Sequence, residues 1–343
     1  MINNKIVIKK NYISSNEILC ITISLLSLSF ILLLRSGYEL YYGILLNSLT
    51  LIFFFIFSPL VFSAQFSQLR LNSFLYSKPS ILFLCLIVTF ILGWIKENFD
   101  FNLFFIIYAI SIYCLYHLYK NNDYNFNLKF LFIYLFLFLL ISIFFFTAYY
   151  SNNYFDPLFI EKTATGAFSH RDSFLHTAIS GMFKTYNISS IGVDDLISID
   201  YHTFSHVFFA TISSLIGSNT IIFYSCIIPI VVTPLLVLTF LYCIESLNLV
   251  YVKIMNNFKL IYDHYFYILF LILFASPISM SLSPYDYSYL CSQSFLFGLI
   301  ISFLIISIST IYLLNINLHK NYFFENFYFS LIFLTLFTCL SYS

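Results

Sequence analysis

Ile221-Ile222-Phe223-Tyr224-Ser225-Cys226-Ile227-Ile228-Pro229-Ile230-Val231-Val232-Thr233-Pro234-Leu235-Leu236-Val237-Leu238-Thr239-Phe240-Leu241-Tyr242-Cys243-Ile244 is the stretch whose reading decides the fold. It carries no charged side chain and exceeds the ~20 residues a helix needs to cross the hydrocarbon of a bilayer. Inside lipid a backbone amide has no water to bond to, so such a run folds as a helix that satisfies its own N–H and C=O groups. Pro229 and Pro234 interrupt it, and each lacks a backbone donor. A kink or break is expected there, with the freed carbonyls lining a cavity or taken up in a simple bend.

Outward from this run the chain stays apolar. Of its 343 residues 61% are hydrophobic, 22% aromatic and only 9% charged, against about 25% charged in a soluble domain; the mean hydropathy is +0.91. Toward the N-terminus lie apolar runs at Ile18 to Leu34, Tyr41 to Phe62, Ser80 to Ile95, Leu103 to Leu118 and Phe130 to Ala148; toward the C-terminus lie Tyr265 to Ser281, Phe295 to Leu314 and Phe327 to Leu340. The expected fold class is therefore all-α, a polytopic helical integral membrane protein of nine or ten transmembrane helices with one outer loop of interfacial helices.

Net charge is zero with no basic patch or tail, so nothing points to nucleic acid. The seven cysteines form no CxxC pair and six lie in or beside apolar runs, which argues against a disulfide framework or a thiolate metal site. The first run has no small-x-small cleavage site after it, since it ends at Leu34-Arg35-Ser36-Gly37, so it reads as an uncleaved helix. Lys5, Lys9 and Lys10 before it, Arg70 and Lys78 after the second run, and Lys120 and Lys129 after the fourth all place the N-terminus in the cytoplasm by the positive-inside rule. Five crossings then put residues 150–203 outside. Val207 to Ile216 is about half a span; read as interfacial or half-inserted, it leaves Lys253, Lys259 and Lys320 inside, and read as a crossing it leaves Lys253 and Lys259 outside. The chain thus divides into transmembrane helices 1–5 (residues 1–149), an outer loop with two amphipathic helices (150–217) and further transmembrane helices (218–343). The last run stops at Ser343 without a charged tail, an ending compatible with truncation of a longer parent.

Tyr150 to His206 is the one long polar interval, and it holds the candidate chemistry. Arg171 to Tyr186 has helical period, with Phe174, Leu175, Ala178, Ile179, Met182 and Phe183 on an apolar stripe and Asp172, His176 and Ser180 on another face. That helix is expected to lie along the membrane surface with its polar face toward a cleft or water, stopped by a left-handed Asn187. Ser169-x-x-Asp172 has the form of a capping box, so Asp172 serves as a helix cap, as a general base or metal ligand beside His176, or as both. A second helix is expected from Asp200 to Gly217, with His202 and His206 one turn apart on one face. The two histidines either share a metal or meet water or substrate at the interface. Asp194 and Asp195 lie in a turn-rich connector, where solvation is the commoner role of paired acids. Lys162, Arg171 and Lys184 are the basic groups available to a phosphate. The tyrosines of Ser283-Pro284-Tyr285-Asp286-Tyr287-Ser288-Tyr289 read as interface anchors.

Many apolar spans with one outer interval carrying Asp, His and Arg on interface-hugging helices resemble the GT-C membrane glycosyltransferases. More locally, His170-Arg171-Asp172-x-x-x-His176, then Met182-Phe183-Lys184-x-Tyr186, then Tyr201-His202-x-x-Ser205-His206 is similar to a pattern in bacterial membrane proteins of that kind, over residues 165–217. The resemblance implies a polyprenyl-phosphate-linked sugar donor, a glycan or lipid acceptor, and a bacterial inner membrane as the location. It implies Asp172 as the acidic residue with His176 beside it, and substrate contacts from Arg171, Lys184, His170, His202 and His206. It also implies a divalent cation, Mg or Mn, on Asp172, His176, His202 and His206. Those enzymes commonly carry the catalytic loop after the first span, whereas here it follows the fifth. Two alternatives stand beside it: an O-antigen polymerase or ligase type protein, faintly suggested by His176-x-x-x-Ser180, and a transporter or flippase with the Pro229/Pro234 helix along its path. The near absence of charged residues inside the spans argues against transport.

Overall fold

The computed structural model describes residues 15–34, 42–68, 74–121, 171–192, 203–255 and 293–316, together with Ser198 and Ser330. The described residues are all-helical, as the composition requires, and the apolar runs became helices close to their expected bounds. In chain order these are α1 (Ser15–Leu34), α2 (Tyr42–Gln68), a 3-10 turn (Phe74–Tyr76), α3 (Lys78–Phe99), α4 (Phe104–Asn121), α5 (Arg171–Tyr186) and α6 (Thr203–Ile216). A continuous helical segment follows, made of a turn at Thr220–Ile222, a π-helical stretch at Phe223–Val232 and α7 (Thr233–Met255); α8 is Gln293–Ile316. Four helices among the described residues are long and apolar enough to cross a membrane: Tyr42–Phe66, Lys78–Phe99, Cys226–Leu247 and Leu296–Leu314. The expected runs Phe130 to Ala148, Tyr265 to Ser281 and, apart from Ser330, Phe327 to Leu340 lie outside the described residues, as does the loop from Ser283 to Tyr289.

Side-chain contacts set the helix directions. Phe66 meets Tyr76 at 4.4 Å between ring centroids, beside the start of α3, and Asn47, at the other end of α2, takes a hydrogen bond from Tyr108 in the first turns of α4. The helices α2, α3 and α4 therefore alternate in direction. Glu17 near the start of α1 and Glu245 far along α7 both face Lys78, so α1 runs with α3 and α7 runs against it. Phe90 stacks on Phe204 and Phe208, while Gly93 one turn on abuts Thr211; α6 thus runs parallel to α3.

The longest apolar run answered its two prolines by widening. The Thr233 N–H donates to the carbonyl of Ile228, five residues back, which is the π-helical pattern, rare and mostly confined to single turns. A proline cannot donate to the carbonyl four residues before it, so Pro234 frees the Ile230 carbonyl. The Ser24 hydroxyl of α1 donates to that carbonyl at 2.8 Å in a fully buried setting. The break is thus packed and satisfied side chain to backbone, and it opens no cavity at this point. Ser24→Ala is expected to cost about 1–2 kcal/mol by orphaning the carbonyl. In a Pro234→Ala background, where residue 234 regains its N–H, the same change should cost less. Equal losses in the two backgrounds, read as thermal midpoints of purified protein at one scan rate, would refute the assignment.

The least expected element is α6. At 14 residues it is about 21 Å long, short of the ~30 Å hydrocarbon. It was expected to start at Asp200 and to rest at an interface or insert halfway. Residues 199–202 lie outside the described residues; from Thr203 on, the helix stands alongside α3. Every residue from Phe208 to Ile216 is buried. Phe297 of α8 packs on Phe208 at 4.5 Å and on Phe204 and Phe209 at 5.8 Å. Its end is closed by Gly217 at φ +84, with the Ser218 N–H bonded to the Ser213 carbonyl and the Gly217 N–H to Ser214, a Schellman closure. Asn47 of α2 donates to the Ile216 carbonyl at 2.8 Å, tying that end to α2 and α4.

Gly93 is what lets α6 approach so closely. A Cβ built there would stand 2.4 Å from the Thr211 carbonyl oxygen and 2.8 Å from its carbon; both are backbone and cannot rotate away. Gly93→Ala is expected to destabilise by about 1–3 kcal/mol despite the better helix propensity of alanine. Gly43→Ala, with nothing within 4 Å, is the control expected to be neutral or stabilising.

Candidate functional site

The helix α5 spans the bounds expected from its period, and Asn187 follows it at φ 55 with its N–H on the Phe183 carbonyl. Its polar face, however, is turned inward. His176 is 2% exposed and Ser180 fully buried, because both face α6 and the π stretch rather than water. His176 Nδ1 lies 3.2 Å from His206 Nε2, and the rings stack with centroids 4.8 Å apart. His206 Nδ1 is 3.2 Å from the Tyr224 hydroxyl, which is 2.8 Å from the Ser180 hydroxyl. Ser180, Tyr224, His206 and His176 thus form one buried hydrogen-bonded chain drawn from three helical elements.

Depth matters for its chemistry. Phe90, which stacks on both Phe204 and Phe208, lies about 18 Å along α3 from Lys78 at about 1.5 Å per residue, and α3 has 22 residues. His206 therefore sits near the middle of a helix long enough to span, rather than at its end. There an unpaired polar group costs more than at a wet interface, which is why each ring nitrogen and hydroxyl bond to a neighbour has weight. His176 and His206 were each anticipated as site residues, His176 beside Asp172 and His206 beside His202; Tyr224 was not. Its signal was a lone phenol in the first turns of an otherwise apolar span.

Of the other expected residues, Arg171 and Asp172 lie on the first turn of α5, but their side chains are outside the described residues; His170, His202, Lys162, Asp194 and Asp195 are outside them altogether. No group of three or more His, Cys, Asp or Glu side chains able to hold a metal occurs among the described residues. Mg and Mn prefer oxygen-rich shells. Of the residues expected to hold the cation, His176 and His206 are described, while the side chain of Asp172 and all of His202 lie outside the described residues.

A groove of about 340 Å³ opens between α3, α5 and α6, with Phe90, Ile91, Trp94 and Glu97 on one side and Phe183 and Asn187 on another. Lys184 lies near it. Its ammonium donates to the Ser218 carbonyl at 2.7 Å. Burial pulls that ammonium below the ordinary lysine range, the Glu97 carboxylate opposes the shift, and Lys96 adds to it.

No family model matches the chain, and neither a curated protein nor a solved structure does.

Proposed function

We propose that the chain is an integral membrane glycosyltransferase that takes its sugar from a polyprenyl-phosphate-linked donor and passes it to a glycan or lipid acceptor. One observation supports this reading: His176 and His206, from the two separate halves of the motif that resembles the GT-C enzymes, are bonded to each other at 3.2 Å in a buried setting. That contact also brings the start of α5, with Asp172 in its first turn, next to the start of α6. In this reading Asp172 deprotonates the acceptor hydroxyl. Arg171, beside Asp172, holds the donor phosphate through its planar fork; Lys184, about 20 Å further along α5, does not reach it. His170 and His202 bond sugar hydroxyls, His176 orients the acid, and His206, with both ring nitrogens engaged by His176 and Tyr224, holds His176 in place. Displacement at the anomeric carbon passes through an oxocarbenium-like state, which a nearby carboxylate stabilises. The location is a bacterial inner membrane with a cytoplasmic N-terminus, which makes the Asp100 end of α3 the outer end.

The test is a glycan and lipid-linked-sugar profile of the native host, comparing deletion, wild-type complementation and an expression-matched Asp172→Asn variant. One sugar lost in both the deletion and Asp172→Asn, and restored by wild type, is the expected outcome. An unchanged profile in the deletion sinks the transferase reading. A phenotype rescued by Asp172→Asn returns that residue to capping α5. Accumulated polymer precursors in place of a missing sugar would instead favour the polymerase or ligase alternative. Transport gains nothing at Pro229 and Pro234, where the freed Ile230 carbonyl meets Ser24 in a packed core.

A further inference from the structure

The groove between α3, α5 and α6 is apolar along its length and charged at one end. Ile91 and Trp94 are 48% and 47% exposed on a helix long enough to span a membrane, so the groove opens on the flank of that helix. Phe90 and Phe183 form its deeper wall. Glu97 lines it one turn before Asp100, the left-handed cap that ends α3.

The charges at that end leave bonds unmade. Glu97 is half-buried and feels Lys184 electrostatically, yet no hydrogen bond or ion pair joins its carboxylate to another side chain among the described residues. Lys184 commits one N–H to the Ser218 carbonyl, and an ammonium has three to give. Glu97 at the mouth of an apolar slot and Lys184 near it therefore carry opposite charges without a hydrogen bond or ion pair between them. Such a site is complementary to a head that carries a hydrogen-bonding cation and an anion side by side.

We propose that this groove binds a membrane phospholipid with a primary ammonium beside its phosphate, the ammonium on Glu97, the phosphate on Lys184, and one acyl chain along Trp94, Ile91 and Phe90. Asn187 at the rim adds an amide for the phosphate or glycerol oxygens. A quaternary ammonium has no N–H to give the carboxylate, and an anionic head without an ammonium sets its phosphate beside Glu97 with no compensating donor. The volume of about 340 Å³ is near the lower end of ligand sites, about 300–1,000 Å³, so the head and part of one chain fill it while the second chain stays in the bilayer. The site is separate from the histidine chain and does not depend on sugar transfer.

The experiment uses the full chain in nanodiscs of phosphatidylethanolamine, phosphatidylcholine and phosphatidylglycerol in equal parts, followed by native mass spectrometry of the lipid that remains bound after release. Wild type is expected to retain one phosphatidylethanolamine per chain with about fivefold preference over each of the others. Glu97→Gln should abolish the preference, and Lys184→Met should lower retention of all three. Equal retention by wild type, or a preference that survives in Glu97→Gln, overturns the proposal and leaves an ordinary boundary lipid. Should Glu97→Gln fail to fold, wild type alone decides by photo-crosslinking with a chain-labelled phosphatidylethanolamine. Adducts within the Phe90 to Glu97 peptide, competed by unlabelled phosphatidylethanolamine and not by phosphatidylglycerol, support the site; adducts elsewhere overturn it. Loss of a sugar in Asp172→Asn bears on the transferase reading alone.

Discussion

Lys78→Met is expected to destabilise the protein by about 3 kcal/mol, the lower end of the cost of removing one partner of a buried ion pair, because Glu17 is fully buried while Lys78 keeps 30% of its side-chain surface. Glu17 of α1 is fully buried, and its Oε1 lies 3.6 Å from the Lys78 ammonium at the start of α3. Glu245 of α7 approaches the same ammonium at 3.9 Å, and the Tyr242 ring lies under it with 5.7 Å to the centroid. One lysine therefore ties together three helices that are otherwise joined by apolar contact, which has little directional preference in lipid. Methionine keeps the length of the side chain and removes the charge, leaving Glu17 buried beside a second carboxylate. The pairing itself is tested by Glu17→Gln/Lys78→Met, which should recover at least half of the loss because Glu17 no longer carries the charge that Lys78 balances. Membrane proteins commonly unfold irreversibly, so the comparison is of apparent midpoints at one scan rate in one detergent. A double variant as unstable as Lys78→Met would mean that the lysine acts through packing alone.

His206→Ala should cost about 3–5 kcal/mol, for a different reason. It opens a cavity in the middle of the bundle and strips a partner from His176 Nδ1 and from the Tyr224 hydroxyl together; an orphaned buried polar group costs about 1–3 kcal/mol. Tyr224 keeps Ser180, so the loss falls mainly on His176. Replacing all partners by apolar groups of like shape is far milder than deleting one. The quadruple variant His176→Phe/His206→Phe/Tyr224→Phe/Ser180→Ala, which leaves no member of the chain behind, is therefore expected to melt above His206→Ala while abolishing any chemistry that needs an imidazole. If His206→Ala melts with wild type, the chain of hydrogen bonds contributes nothing to the fold.

Much of the architecture was legible because the bilayer imposes a simple rule on the backbone. A run such as Ser80 to Ile95 has one structure open to it in hydrocarbon, and α3 followed. Local signals also carried through where the physics is local: the bounds of α5, the left-handed Asn187, and the stop at Gly217 follow from helical period and from which residues tolerate positive φ. What misled was polarity. His176, Ser180 and His206 read as an outward, wet face because polar side chains lie outward in most surface helices. They are instead buried, since the polar face of α5 found its partners on α6 and the π stretch instead of in water. The half-span length of Val207 to Ile216 was visible, but whether such a segment lies flat or stands among other helices depends on close approach. Gly93 on α3 permits that approach, and nothing near residue 207 announces it.

The sequence by itself determined that this is an all-helical chain with spans long enough for a membrane and where the long helices among the described residues fall, because apolar length is a local property. Only the tertiary structure decided that His176 meets His206 and Tyr224, that Ser24 answers the carbonyl freed by Pro234, and that Glu17 and Glu245 share Lys78. Each of those pairings joins helices far apart in the chain, and the choice among many polar side chains was made by which helix faces could pack closely enough to bring a donor against an acceptor.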